Sequence, residues 1–572
     1  MEVFIKGKGN IIKLLDSDYI GEGGEAKVYG KDGIAYKIYH DIQKLIPEAK
    51  IKELSLLDNS CIIRPENVLI NKNKSYIGFT MRLLPENFVY LPKIFINDFR
   101  KRIGFTDQDA LSLVEAMKEL LIFIHEKNCL VIDGNEFNYL LNDKKLTEPY
   151  IIDVNSFQTP SFPATAIMPS IRDWRNIGFS ELTDWFSFGI IACQIFIGIH
   201  PYKGKHPDYK NDQDILKKRM MDSISIFNPK VSLPKVVRDF NCIPDNYRDW
   251  FIQIFEHGDR TPPPTKAGLP TGPSAVIISL KIGTNYFDIK ELMKYDDEIL
   301  YHKSEMGKTV TKTKKKIFIN NHEASLEDVL NTEVLFTSQS LYPVFVNIKE
   351  NSAQIWSPNK EIKYSKIECS EKMICNNTLY LRNQGMLLEI IIKEIGLSLI
   401  ASVKEVWNIM PKSSKMFAGL IYSDVLGEPF LGIPIPSVDG KSGFANIKIP
   451  EIKSFKVVEG KNDNRICVLI LYKDDLYYRA IIKFNKDYSE YKIRISHDIG
   501  YSSVNFVTLD NGISVLINER NQVEIFSNDF QNDKSNVVQD PDIDESMKLC
   551  KEGVKTLFYR ADSLYSINIK RS

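Results

Sequence analysis

The run Thr261-Pro-Pro-Pro264-Thr-Lys-Ala-Gly-Leu-Pro-Thr-Gly-Pro273 divides this chain of 572 residues into two stretches whose apolar patterns belong to different kinds of fold. Pro fixes φ and has no N–H, and Gly weakens helix and strand interiors, so the run reads as a stiff spacer. Before it, apolar residues recur at helical spacing in long segments. After it, they come in short β-rich bursts separated by Asn, Asp, Gly and Lys. The expected division is a domain over residues 1–262, a spacer over 263–273 and a second domain over 274–572.

The first stretch carries several patterns suited to phosphate chemistry. In Gly21-Glu-Gly23-Gly24-Glu-Ala26-Lys-Val28-Tyr29, absent Cβ atoms would let backbone N–H groups approach phosphate oxygens, and Ala26 is the mildest substitute for a further glycine. Ile34-Ala35-Tyr36-Lys37 alternates like a strand and presents a lysine after that turn. Pro47-Glu48 opens a short helical pattern running to Leu57, with Pro suited to a first turn. Glu48 is the expected partner of Lys37 and Glu53 the competitor. Ser75 to Leu84 reads as a strand entering a hinge, with Met81 and Leu83 near its end. In the helical pattern from Asp109 to Lys127, Leu111, Val114, Met117, Leu120, Leu121 and Ile124 share one face. Val131-Ile132-Asp133-Gly134-Asn135-Glu136-Phe137-Asn138 follows, and Ile152-Asp153-Val154-Asn155-Ser156-Phe157-Gln158 ends the next apolar run.

In this order the motifs from about residue 15 to 262 resemble a protein-kinase domain. They are most similar to a bacterial group of atypical Ser/Thr kinase-like domains found in some proteins beside helix-hairpin-helix modules. That group has V-x-G-D-V-N-E-S-N and I-D-T-D-S-F-Q where this chain has its 131–138 and 152–158 segments. The resemblance implies an α+β bilobal protein-kinase-like domain, with a small lobe over 1–84 and a large lobe over 85–262, that uses ATP and Mg2+. It places Gly21, Gly23, Gly24, Ala26, Val28, Met81 and Leu83 at the nucleotide, with hinge backbone bonding adenine. Lys37 would hold the phosphates with Glu48 orienting it, Asn138 and Asp153 would bind metal, and Asp133 would accept the proton of the acceptor hydroxyl. Asn135 and Glu136 would position substrate or serve as loop hydrogen bonds.

Two further landmarks resemble the same family. Asp184-Trp-Phe-Ser187-Phe-Gly189 matches a D-x-W-S-x-G helix whose Asp braces the catalytic loop. Arg260 matches a late arginine whose usual Glu partner has no clear counterpart here, leaving Asp173 as the nearest substitute. Val131-Ile132 stands where many kinases have His-Arg, so control by a phosphate on the activation segment is not expected. Asn155 replaces the glycine after the metal-binding Asp, a change of backbone freedom more than of coordination. The apolar run after Asp184 is shorter than the roughly 20 residues of a membrane span, so it is read as a core helix.

Beyond the spacer, four pairs share a buried strand, a polar turn and an aromatic strand: Ile374 to Leu381, Val468 to Tyr478, Val515 to Phe526, and Leu557 to Ile567. Recurrence at about 40 to 50 residues suggests an all-β domain, a β-propeller of about six or seven blades, with a β-sandwich pair as the alternative. Leu564 to Ile569 would close the ring on Val276 to Leu280. Such a domain would dock a protein substrate or an assembly partner.

Lys+Arg 74 against Asp+Glu 74 leaves no net charge, so nothing global points to nucleic acid or an anionic membrane. The basic run Thr309 to Lys316 is expected to be a solvated loop. Eight cysteines without a C-x-x-C pair, and an N-terminus unlike a signal peptide, suggest a cytoplasmic setting. His125 and His200 are expected to be structural. Frequent Ile, Lys and Asn hint at a bacterial or phage genome. The function expected is an ATP- and Mg2+-dependent Ser/Thr protein kinase with a docking domain; the alternatives are a nucleotide-binding pseudokinase scaffold and a small-molecule kinase.

Overall fold

Seven short segments at the N-terminus pair into one antiparallel sheet: β1 (Glu2–Ile5), β2 (Ile11–Lys13), β3 (Tyr19–Glu22), β4 (Ala26–Lys31), β5 (Ile34–Tyr39), β6 (Pro65–Ile70) and β7 (Tyr76–Arg82). Their order across the sheet is β2-β1-β6-β7-β5-β4-β3. The computed structural model describes residues 1–84, 88–164, 167–209, 215–234, 236–265, 286–324, 331–358, 360–396, 398–438, 441–474, 476–496, 499 and 503–570. The chain divides into two units, Met1–Ile277 and Ile278–Ser572. Most of the expected spacer lies outside the described residues.

In the first unit, α1 (Glu48–Leu54) follows Pro47, and α2 (Asn97–Ile103) ends at Gly104 in the left-handed region. Helix α3 (Asp107–Glu126) starts with a reciprocal cap, in which Thr106 Oγ1 accepts the Asp109 amide and Asp109 Oδ2 accepts the Thr106 amide. Its apolar stripe is the one read from the spacing: Leu111, Val114, Met117, Leu121 and Ile124 are all buried. A three-stranded sheet combines β8 (Phe88–Tyr90), which precedes α2, with β9 (Tyr139–Asn142) and β10 (Lys145–Ile151), which follow α3. Helix α4 (Glu181–Ile197) is buried from Thr183 to Ile197, which explains its apolar character all round. Beyond it, Phe251 at the end of α5 (Asp245–Ile252) and Phe255 join the same core. Each such side chain removed from water contributes about 1.5–3 kcal/mol. Among the described residues no helix is long and apolar enough to cross a membrane.

Among its described residues the second unit is all-β apart from the short 3-10 turn Pro450–Ile452, and its described strands form seven separate sheets of four or five strands. The four segment pairs singled out above fold as antiparallel hairpins, for example Ile466–Lys473 with Leu476–Phe484. Most sheets use consecutive strands. One joins the ends of the unit, pairing Phe287–Lys294 antiparallel with Ser563–Ile569.

The expected fold class requires correction. Strands make up 45% and helices only 18%, spread over many separate small sheets, so a clear bilobal α+β kinase-like domain followed by a propeller is not what the structure presents. Helical periodicity is genuine in α3 and α4 but covers little of the chain, whereas most segments pair locally into small sheets; what stands is an all-β C-terminal region. The partner expected for the last strand, Val276 to Leu280, lies outside the described residues. The basic run also differs from a solvated loop. Lys308–Thr313 is a strand, Lys312 is buried with Nζ 2.5 Å from Thr332 O, and Lys314 and Lys316 pair with Glu298 and Asp296 at 2.8 and 3.0 Å. The alternating Thr-Val-Thr within it favours a strand.

Candidate active site

Lys37 stands in the middle of the seven-stranded sheet. Along one cross-strand row, Gly21 faces Val28, Val28 faces Lys37, and Lys37 faces Phe79. The Lys37 side chain is 13% exposed, and its ammonium lies 5.7 and 5.9 Å from the ring centroids of Tyr39 and Phe79. Its Nζ donates to Asp153 Oδ1 at 2.8 Å and to Asn155 Oδ1 at 3.0 Å. Burial, helped by the charge of Glu25 and Asp153, raises the Tyr39 phenol, so Tyr39 stays neutral beside this cluster.

Glu48, expected to orient Lys37, does not meet it. Its carboxylate accepts from Lys6 Nζ at 2.5 Å on the exposed side of α1. Glu53 is not the partner either: its Oε2 accepts the Ser161 amide at 3.2 Å, and hydrogen bonds from Ser161 and Thr159 hold its carboxyl below the usual value. Helix α1 instead packs against the turn Val154–Ser156, which carries the Asn155 carbonyl that Lys37 uses.

Asp153, Asn138 and Asp133 are linked by short backbone connections. Strands β9 and β10 pair as far as Tyr139 and Ile151, and the Ile152 amide continues the ladder to Asn138 O at 2.9 Å. The ladder sets Asn138 beside Asp153, which enters its turn at φ +60. Asn138 Nδ2 donates to Asp133 O at 2.8 Å, which leaves the side-chain oxygen of Asn138 as an acceptor. A carboxylate and an amide oxygen on adjoining strand ends are the hard donor set that suits Mg2+, which takes one or two protein oxygens together with phosphates. The residues present therefore fit that ion.

The Asp133 side chain accepts the Met168 amide at 2.9 Å. Burial pushes its carboxyl above the ordinary value, opposed by the Met168 amide and by Asn135. Asn135 and Glu136 are buried, and Asn135 Oδ1 accepts the Phe137 amide at 2.9 Å, so Asn135 serves the loop's own hydrogen bonding. The Asp133 amide donates to Val131 O at 2.7 Å across Ile132, making a three-residue turn with Ile132 at φ +61. Asp184 holds this turn, accepting the Val131 and Ile132 amides at 2.8 Å each and meeting His125 Nε2 at 2.9 Å. His125 and His200, whose Nε2 meets Ser170 O at 2.9 Å, have structural partners. Arg260 grips Asp173 through two bonds of 2.7 and 2.8 Å. Burial would raise the Asp173 carboxyl, but Arg260, together with Asn176 and the Arg175 amide, holds the group below its usual value.

The glycine segment links β3 and β4, with the Gly23 amide on Ala26 O at 3.0 Å. A Cβ on Gly21, Gly23 or Gly24 would meet nothing within 4 Å, so there is open space over these backbones. Ala26 faces Tyr39 across the sheet, and Met81 faces Ala35. Leu83 packs near Gly30, and its amide, which the resemblance would offer to adenine, is committed to Gly33 O at 3.0 Å. Gly78 was missed by sequence reasoning: a Cβ there would lie 2.0 Å from Lys37 O, so the strand pairing beside Lys37 requires glycine. A glycine inside an otherwise β-branched and aromatic strand is the signal that marks it. The Asn155 contact left no such signal.

No family model matches the chain, and no curated protein matches it. Among solved structures it is similar to the Cydia pomonella granulovirus kinase PK-1, with 16% identity over 43% of this chain and 87% of that one, at a TM-score of 0.31. A viral protein kinase is thus a distant structural neighbour of part of the chain.

Proposed function

We propose that this protein is an ATP- and Mg2+-dependent phosphotransferase that acts on a Ser or Thr hydroxyl of a protein. The observation that carries this is the connected set Lys37, Asp153, Asn138 and Asp133, which joins a phosphate-binding cation, two metal-seeking oxygens and a candidate base through the contacts given above. Lys37 holds phosphate oxygens beneath the open backbone of Gly21, Gly23 and Gly24, with Ala26, Val28, Met81 and Leu83 around the nucleotide. Asn138 and Asp153 would hold the metal. When bound, Mg2+ offsets charge on the transferring phosphoryl group. Asp133 takes the proton of the attacking hydroxyl, and its raised carboxyl brings it closer to the range in which a general base is effective. Phosphoryl transfer asks little else of a protein than this positioning and charge.

We read the C-terminal β region as the part that recruits the protein substrate or an assembly partner. The test of the activity is incubation with labelled ATP, Mg2+ and generic protein acceptors. Transfer is expected from the native chain and not from Asp133→Asn or Asp153→Ala; labelling that survives both substitutions unchanged would sink the assignment.

One observation favours a second function, nucleotide binding without transfer: the Asp133 carboxylate already accepts the Met168 amide. Thermal stabilisation by ATP with no turnover on any acceptor would select it.

A further inference from the structure

We propose that Asn155, and not an acid of α1, is the residue that positions Lys37. This rests on the phosphotransferase assignment and names a residue of the same site.

Three observations converge on it. Asn155 is 5% exposed, and its Oδ1 lies 3.0 Å from Lys37 Nζ. The turn that carries it, Val154–Ser156, is fixed at its start by Asp153 at φ +60, with the Ser156 amide on Asp153 O at 3.0 Å, and α1 packs against it. The rival, Glu48, has a 42% exposed side chain and is paired with the 54% exposed Lys6. The Glu48 carboxylate is engaged at that surface by Lys6, whereas the buried amine is engaged by Asp153 and Asn155.

The chemistry gives Asn155 a task that Asp153 cannot perform alone. A lysine ammonium has three donors and no acceptor, and Asp153 and Asn155 take two of them. Asp153 is also a candidate metal ligand, so its oxygens are shared once a metal is held. The Asn155 carbonyl is uncharged and has no such second claim. It fixes the amine by a charge-assisted hydrogen bond and leaves the full positive charge of Lys37 for phosphate oxygens. A glutamate would neutralise part of that charge. The buried position also keeps water from competing for the amine.

The test uses the full-length chain without nucleotide or metal. Lys37 is acetylated with an N-hydroxysuccinimide ester, and its rate is read by peptide mass spectrometry against the exposed Lys13 and Lys72. Asn155→Ala should raise Lys37 labelling several-fold, whereas Glu48→Ala should leave it at the native rate. Asn155→Asp keeps the acceptor and adds charge, so labelling should fall below native; this variant carries the test if Asn155→Ala fails to fold. Native labelling in both Asn155 variants, or a rise confined to Glu48→Ala, overturns the proposal. In turnover, Asn155→Ala should raise the KM for ATP about tenfold, the loss of one hydrogen bond to a charged group, with a much smaller change in kcat, and Asn155→Asp, which keeps the acceptor but neutralises part of the Lys37 charge, should restore it only in part. The two failures are distinguishable: labelling that follows Asn155 in a protein that transfers no phosphate refutes the phosphotransferase assignment and keeps the anchor.

Discussion

The carboxylate of Asp184 accepts the backbone amide of Ile132 at 2.8 Å while Ile132 is held at φ +61, a conformation that a β-branched residue rarely adopts. Such a residue costs about 1–3 kcal/mol and persists only where surrounding contacts over-determine it. Here Asp184, itself 2% exposed, also takes the Val131 amide and meets His125. The strain therefore sits one residue before Asp133, and a helix 50 or so residues away in sequence keeps it in place.

Asp184→Ala should relax this turn. It leaves two buried amides without an acceptor and should cost about 3–5 kcal/mol of stability, read as a lower urea midpoint. Asp184→Asn retains an acceptor for one amide and should cost less. Equal stability of the alanine variant and the native chain would show that the turn does not depend on Asp184.

Burial raises the Asp133 carboxyl above its ordinary value of 3.8, more than the Met168 amide lowers it. Protonation removes the base, so activity should be lost as pH falls through a value above 3.8. A pH profile of kcat/KM measures it. An acid limb at or below 3.8 would show that Asp133 is not the group titrating in the free enzyme.

Gly78→Ala would set a Cβ 2.0 Å from Lys37 O, backbone that cannot move without parting β5 from β7. The variant should lose at least about 2 kcal/mol, seen as a lower urea midpoint. Gly21→Ala, where a Cβ meets nothing within 4 Å, should change the midpoint little. Similar losses at both positions would mean that the close approach at Gly78 is not the cause.

Glu545 is raised to about 7 by burial, with Glu519 and Asp544 adding to the effect and Lys548 opposing it. Its folded value lies above its unfolded value of 4.5, so the protonated side chain favours the folded state. That contribution is complete below about 4.5 and is lost as pH rises through about 7. Glu545→Gln should therefore raise the thermal midpoint at pH 8 and change it little at pH 4. A midpoint gain equal at both pH values would count against this.

Local elements were legible in the chain. The stripe from Leu111 to Ile124 announced α3, the alternation around Lys37 announced β5, and the paired segments such as Val468 to Tyr478 became hairpins. Each is written in residues a few positions apart, where side-chain periodicity and turn chemistry act. The approach of Asp153 to Asn138 was similarly accessible, because both lie at the ends of one hairpin, β9 with β10. The class of the whole chain was not legible in this way, because helical motifs stand out in a sequence while many small sheets are counted only once strands have found partners.

The sequence by itself determined which residues carry charge, amide oxygen and open backbone: Lys37, Asp133, Asn138, Asp153 and the glycines before them. Only the tertiary structure decided that Lys37 turns to Asp153 and Asn155, 116 and 118 residues away, while Glu48 pairs with Lys6 at the surface. The rotation of α1 and the left-handed turn at Asp153 choose between these partners. Both are set by packing between distant segments, which no local pattern encodes.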